Sequence, residues 1–542
     1  MNSAPGWAPK APPPGGDGEP APKPKRFWWR FALASVLIVA VSAAATATSV
    51  LLYIDSIAKA LGGGNHKLHD KLDKALADVH SGEPQTILIL GSDHRANEGE
   101  EPGRSDTTML VRLDPDKNLI SAMSIPRDLK VEIPGFGTEK FNAAYTYGGP
   151  KLTLQVVKEL TGLKVNHVVN VDFLGFVRAV DAIGCVYVDV DRRYYHSNVG
   201  LPPSEQYSEI NIQPGYQKLC GKKALQYVRY RHTDTDIVRS ARQQAFLTDA
   251  RQRVSLNDLL FDQSHLIDIF SEYTTSDISE GDTLLELLKL AVACRNASIK
   301  QVHFPAELGP SFVYASESAI HEAAEEFLGE GGGSESEPEA ESSPAKKKHK
   351  GTHGKKHKKK QKPKVKVAKP GDDGLVPARE MGEAEAESAA RKVGGGFPIF
   401  YPTRLPPGSR FVETDPYEHV VDPRVYRFKD DNGERRVAYK MVAVMEESDG
   451  LHYFGVQGIK GWSDPPILGN PNVTEEIHGR EYEIFTDSGR IKMVAWHRGE
   501  NTYWIANDLQ QALTNQQMVG MARSADVMMG KKKPPKKGRK QP

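Results

Sequence analysis

Four separated segments of this chain set arginines beside carboxylates. They are Gly91-Ser92-Asp93-His94-Arg95, Arg104-Ser105-Asp106-Thr107, Pro126-Arg127-Asp128, and Arg229-Tyr230-Arg231 followed by Asp236, Arg239, Arg242 and Gln243. Guanidinium is a planar, bidentate reader of phosphate, and carboxylates are the usual protein ligands of Mg2+. The combination points to a diphosphate with a bridging divalent cation. Read as a strand, YVRYR places Arg229 and Arg231 on one face. Asp236 then caps a helix whose first turn carries Arg239, with Arg242 and Gln243 on the same face. A helix N-terminus lined by inward arginines is an anion site.

Not every charge near these segments belongs to such a site. Arg95, Arg112 and Arg178 read as surface ion-pair partners, and Asp128 as the cap of a turn. His94 and His232 read as polar rim residues, whereas Lys140 and Asn142 are candidate secondary ligands.

The elements that must position these residues form an α/β pattern between residues 84 and 328. Strands are expected at TILIL, TTMLVRL, LISAMSI, VNHVVNV, CVYVDV, YVRYR and QVHF. Between them, KLTLQVVKELTGL and FLGFVRAVDAI carry apolar residues at helical spacing. Strand, helix and strand from His167 to Val190 read as a βαβ-type unit, implying a mixed sheet with helices on its faces. A smaller α+β domain is expected over residues 392–526, from the aromatic-rich strands VAYKMVAVM, LHYFGVQGI, YEIFTD, RIKMVAWHR and TYWIA and the helical pattern DLQQALTNQQMVGMARSA.

The flanking segments set the compartment. Residues 1–26 are rich in Pro, Gly and Ala and are expected to be disordered. Within residues 27–54, the stretch Phe31–Tyr53 has no charge and is long enough for a bilayer, which takes about 20 residues. Lys23, Lys25, Arg26 and Arg30 precede it and Asp55 follows, so the N-terminus is expected in the cytoplasm and the remainder outside. That predicts a single-pass, uncleaved signal anchor, then an extracytoplasmic stalk over residues 55–83. Residues 329–391 read as a disordered linker, acidic and then Lys/His-rich, and 527–542 as a basic tail. The formal net charge of +1 averages over these blocks and identifies no partner. The Lys/His run invites a nucleic-acid reading, but its place outside the membrane argues for a spacer or for contact with anionic wall polymer.

There are three cysteines. Export permits a disulfide, and a bridge between Cys185 and Cys220 would close a loop of about 35 residues worth roughly 3–4 kcal/mol. Cys294, on an apolar helical stretch, reads as a buried thiol. Spacing alone leaves the pairing open.

From GSDHR through GRSDTTML, SIPRD, KFNAAYTYGG and ALQYVRYRHTDTDIVRSARQQ, the chain resembles the LytR–CpsA–Psr family of cell-envelope glycopolymer transferases. The resemblance covers roughly residues 84 to 305. It implies a membrane-anchored phosphotransferase that moves a glycopolymer from a polyprenyl-diphosphate carrier to peptidoglycan, with Mg2+ or Mn2+ as cofactor and an apolar lipid pocket beside the mixed sheet. Carried over by position, Asp93 and Asp106 match the metal-holding acids, either of which could take the proton of the attacking hydroxyl. Arg104, Arg127, Arg229, Arg231 and Arg239 match the diphosphate-binding arginines, and Gln243 a glutamine beside them. Many members have two glycines where this chain has Gly184-Cys185, and small or polar residues where it has Cys220; the paired departures favour a bridge. A polyprenyl-diphosphate hydrolase and a non-catalytic wall-binding or regulatory membrane protein are the alternatives, and the intact acid and arginine set argues against the latter.

Overall fold

In a computed structural model the chain is described over residues 72–92, 105–253, 274–330 and 373–529, apart from short gaps that include 203–205, 231–233 and 414–423. The predicted anchor, the N-terminal tail, most of the stalk, the Lys/His run and the end of the basic tail lie outside the described residues. No helix among the described residues is long and apolar enough to cross a membrane.

The first half is built on a six-stranded mixed sheet. A meander of β1 (Gln85–Ser92), β2 (Ser105–Asp114) and β3 (Leu119–Ser124) is antiparallel throughout. A short hairpin of β4 (Lys130–Ile133) and β5 (Gly137–Lys140) leads to α1 (Ala143–Thr161). Strand β6 (His167–Asp172) returns parallel to β1 and runs into α2 (Phe173–Ala182), capped by Asp172, which accepts from the Gly175 N–H at 2.6 Å. After β7 (Val186–Val190), β8 (Tyr194–His196), β9 (Ile210–Ile212) and β10 (Gly215–Leu219) come helices α3 (Gly221–Arg229) and α4 (Asp236–Arg251). Strand β11 (Thr274–Ser276), helix α5 (Gly281–Ala293), strand β12 (Ser298–Val302) and helix α6 (Glu317–Leu328) complete the half. The sheet order is β11-β6-β1-β2-β3-β12. Leu88, Leu90, Leu110, Met123, Val157, Val168 and Phe327 fill the core against it. Leu72 is fully buried in that core, so the folded unit begins inside the segment expected as stalk.

Two local expectations are corrected. YVRYR is not a strand: Arg229 ends helix α3, and Arg231 lies outside the described residues. Ala224, Tyr227 and Val228 are buried at helical spacing, and packing of α3 against α2 prevails over the local Tyr/Val alternation. The His167–Val190 unit is not a βαβ within one sheet, because β7 pairs with β10 in a separate two-stranded ladder. The Cys185–Cys220 disulfide is present, holding the start of β7 to the start of α3 with Cα atoms 4.5 Å apart. Cys294 is free and buried.

The second half is α+β and starts earlier than expected. Helix α7 (Arg379–Val393) lies inside the stretch read as linker, because Ala386, Ala389 and Ala390 form a small-residue stripe buried on β13 (Pro398–Pro402). Next come β14 (Arg410–Phe411), β15 (Arg424–Lys429), β16 (Arg435–Glu447), β17 (Gly450–Lys460), β18 (Val473–Ile477), β19 (Arg480–Asp487), β20 (Arg490–Arg498) and β21 (Asn501–Ala506). They form an antiparallel sheet ordered β14-β16-β17-β21-β20-β19-β18, with β15 also on β16. Helix α8 (Asn515–Arg523) begins with a capping box of Thr514 and Gln517, and β22 (Ala525–Met529) pairs with β13.

The two halves share a core. Tyr187 and Tyr216 of the first pack with Tyr426, Phe485, Met493 and Trp504 of the second. Asp189, on β7, accepts from Lys440 Nζ at 2.5 Å and from Trp504 Nε1 at 2.9 Å. Gly215 makes room for this seam: a Cβ there would lie 2.7 Å from the Tyr426 hydroxyl, which accepts from the Tyr216 N–H.

Candidate functional site

Parallel strands β1 and β6 end at one level, since Ser92 is in register with Asp172 of β6 and with Ser105, the first residue of β2. The carboxyl ends of parallel strands are where α/β sheets collect ligands. Asp93 immediately follows β1 in sequence, and Asp106 is the second residue of β2. The strands approach closely here: a Cβ on Gly91 would meet the Thr107 Cβ at 3.0 Å. Ser105 Oγ donates to the Gly91 and Thr107 carbonyls at 3.2 and 3.0 Å, tying a register shift between Gly91 and Ser92. Asp93, Arg104 and Arg231 themselves lie outside the described residues, and of Asp106 only the backbone is described.

Helix α4 points its N-terminus into the same region. Its cap is Thr235 rather than Asp236, with Oγ1 accepting from the Val238 N–H at 3.3 Å. Asp236 instead accepts from the Arg127 N–H at 2.9 Å and pairs with Arg239. Burial pushes the Asp236 carboxyl above its ordinary value, while Arg239 and Arg127 pull it down. One turn along, Gln243 donates to Thr107 Oγ1 at 3.0 Å and to the Val228 carbonyl at 3.2 Å, joining α4 to β2 and α3. Asp128 lies 3.7 Å from Arg127 Nε and 3.1 Å from Lys140 Nζ, which makes it a salt-bridged turn residue. Arg229, exposed at the end of α3, sets its guanidinium 3.7 Å above the Phe173 ring, next to the last residue of β6.

The structure therefore brings Arg127, Arg239, Gln243 and Arg229 to one end of the sheet, with Lys140 tied in through Asp128. Arg242 faces elsewhere. It is fully buried, donates to the Tyr230 carbonyl at 2.9 Å and to Asp234 at 2.5 Å, and stacks on Tyr194. Helical spacing alone put it with Gln243; its depth and its aromatic surroundings take it out of the phosphate set. Thr107 and Thr235 were missed as partners, although both sit inside the motifs and only their tertiary contacts reveal them. Among the described residues, Asp181, Cys185 and Cys220 group atoms of metal-binding type, but both sulfurs belong to the disulfide.

The sequence model of the LytR_cpsA_psr family matches residues 52–326. The chain belongs to that family. Among similar proteins, the probable cell wall biosynthesis protein LcpB of Corynebacterium glutamicum is 32% identical over 228 residues, 40% of this chain and 53% of LcpB. The teichoic acid transferase TagU of Oceanobacillus iheyensis is 29% identical over 253 residues, covering 45% of this chain and 75% of TagU. TagT of Bacillus subtilis, a polyisoprenyl-teichoic acid–peptidoglycan teichoic acid transferase, is 34% identical over 165 residues, 30% of this chain and 50% of TagT. The chain thus spans about half the length of LcpB and TagT. A solved structure of TagT bound to LI-WTA aligns with 47% of this chain and 93% of its own, at 25% identity and a TM-score of 0.37. The match to the LytR_cpsA_psr family ends before the second domain.

Proposed function

We propose that this LytR_cpsA_psr member is a phosphotransferase that moves a glycopolymer from a polyprenyl-diphosphate carrier to peptidoglycan, outside the membrane. The observation that carries the reading is the convergence of Arg127, Arg239, Gln243 and Arg229 on the carboxyl ends of β1 and β6. Phosphoryl transfer asks a protein for positioning and charge neutralisation more than for covalent chemistry. Arg127, Arg229 and Arg239, with Arg104 and Arg231 from the motifs, would hold the diphosphate oxygens. A wall hydroxyl attacks the phosphorus that bears the glycan, and the bond to the bridging oxygen breaks. Polyprenyl phosphate leaves, and the proton of the hydroxyl passes to a nearby base, for which Asp93 and Asp106 are the candidates.

The donor set also fits a divalent cation. Asp93 and Asp106 adjoin Ser92 and Ser105, residues paired across β1 and β2. These two acids would hold Mg2+ or Mn2+, which when bound supplies charge neutralisation on the diphosphate. The uncharged stretch Phe31–Tyr53 would keep the enzyme at the membrane that carries its donor. The deciding experiment supplies a synthetic polyprenyl-diphosphate glycan and purified peptidoglycan to the full chain. Label joined covalently to the wall supports transfer; label released only as free glycan phosphate makes the protein a hydrolase.

A further inference from the structure

Just before α4, on the connection from α3, lies a buried carboxylate held by two guanidiniums. Asp234, whose side chain is 3% exposed, pairs with Arg192 and with Arg242. Arg242 also accepts no water-facing role: its second contact is the Tyr230 carbonyl, so both ends of the connection, Tyr230 and Asp234, converge on one side chain. Tyrosines line these cations. Arg192 lies 4.8 Å from the Tyr194 ring and Arg242 lies 4.7 Å from the same ring. Tyr194 in turn donates its hydroxyl to Asp191 at 2.6 Å.

One wall of this cluster comes from the second domain. The Tyr453 ring, on β17, stands 4.8 Å from the Arg192 guanidinium, opposite a residue 261 positions earlier in the chain. Asp191 and Asp234 raise the Tyr453 hydroxyl pKa, after burial, which places the phenol beside the same carboxylates. The connection sits between Arg229 at the end of α3 and Asp236 at the start of α4, and Asp236 binds the Arg127 backbone.

We infer that the second domain is a positioning element of the diphosphate site: Tyr453 packs on Arg192, Arg192 and Arg242 fix Asp234, and Asp234 sets the spacing of α3 and α4, which carry Arg229 and Arg239 on either side of it. The ring contact adds to that of Tyr194 on the same guanidinium and helps hold Arg192 against Asp234. Without it, Arg192 gains freedom, one of the two clamps on Asp234 loosens, and the arginines flanking the connection lose their preset separation. Tyr453 is thus a positioning residue, remote from the reacting atoms. The inference rests on the diphosphate reading for its effect on binding, but its structural half stands without that reading.

The test compares full-length wild type with Tyr453→Ala, Tyr453→Phe and, as a seam control away from the cluster, Lys218→Ala. Lys218 joins Asp431 across the same seam through an exposed bridge. Two readouts are taken: hydrogen exchange of amides in Gly221–Arg251, and affinity for farnesyl diphosphate. Tyr453→Ala should speed exchange at the start of α4 and weaken diphosphate binding roughly fivefold, the factor that corresponds to a cation–π contact of about 1 kcal/mol. Tyr453→Phe keeps the ring and should match wild type, as should Lys218→Ala. In a transfer assay the Ala variant should raise KM more than it lowers kcat, with an unfolding temperature near that of the control. Unchanged exchange in α4, or a Phe variant as impaired as Ala, overturns the inference. Wild type that fails to bind farnesyl diphosphate refutes the diphosphate reading instead, and the exchange data then decide the positioning role alone.

Discussion

At the carboxyl ends of β1 and β6, Arg127 and Lys140 pair with Asp128 and Arg239 pairs with Asp236, while the exposed Arg229 lies over Phe173; at the domain seam the buried Lys440 meets Asp189 directly. The first region lies at the end of a parallel strand pair, where α/β sheets collect ligands, and under the diphosphate reading an anion from outside joins it. The second matches its charge internally and adds the Trp504 N–H to the same carboxylate. Ion pairs of the same kind therefore serve a ligand site in one place, under that reading, and architecture in the other.

The seam offers the sharpest way to break that contrast. Lys440 is 1% exposed and its partner Asp189 is 9% exposed. Removing one member of such a pair leaves an uncompensated buried charge, so Lys440→Met should destabilise the chain by about 3–5 kcal/mol. The double variant Lys440→Met with Asp189→Asn should recover most of that loss, because Asn still accepts from Trp504. Denaturant unfolding of the three proteins checks this; an Lys440→Met variant as stable as wild type would show that the seam bears little of the fold's stability.

At the site the same kind of deletion should act on chemistry. Arg239→Ala removes the partner of Asp236 and, under the diphosphate reading, a phosphate contact, and should slow transfer roughly 10²–10³-fold, the scale on which a preorganised electrostatic donor acts. The unfolding midpoint should fall as well, because Asp236 loses its buried partner. Arg239→Lys, which keeps the charge but not the bidentate fork, is the companion variant that should stay nearer wild-type stability and still transfer slowly. Transfer at the wild-type rate would remove Arg239 from the diphosphate set.

The disulfide lies between the two regions, since it holds β7, which carries Asp189, to α3, which ends in Arg229. Replacing Cys185 and Cys220 by Ser should cost about 2–4 kcal/mol. Thermal unfolding with and without reductant measures it, and an effect of reductant on the double variant would point to some other reducible group.

Sequence made the site legible and the seam nearly invisible for a physical reason. Arg127, Arg239 and Gln243, which the fold brings together, sit in local motifs whose residue types point to phosphate chemistry, whereas Asp93 lies outside the described residues. Arg242 shares their helix and their spacing, yet its burial against Tyr194 and Tyr227 decides its role, and burial is a tertiary fact. The strand reading of YVRYR failed in the same way, because two periods fit five residues and packing on α2 chose the helix. The alanine stripe of α7 was hidden by its charged, low-complexity surroundings. No local pattern pairs Tyr453 with Arg192 or Lys440 with Asp189, since each contact spans more than 250 residues.

The smallest effect expected is a pH dependence at the seam. Burial pushes the Asp249 carboxyl on α4 up to about 7, with Asp189 adding to the rise and Lys492 of the second domain opposing it. An unfolded aspartate titrates near pH 4, so between about pH 4 and pH 7 the folded chain retains a proton that the unfolded chain has released. The stability tied to that proton is complete below pH 4 and is lost as pH rises through 7. Asp249→Asn cannot ionise, so its unfolding temperature should fall less than that of wild type between pH 5 and pH 8, by a few degrees for a domain of this size. Parallel melting curves for the two proteins would show it, and lines of equal slope would mean that Lys492 compensates the ionised carboxylate in full.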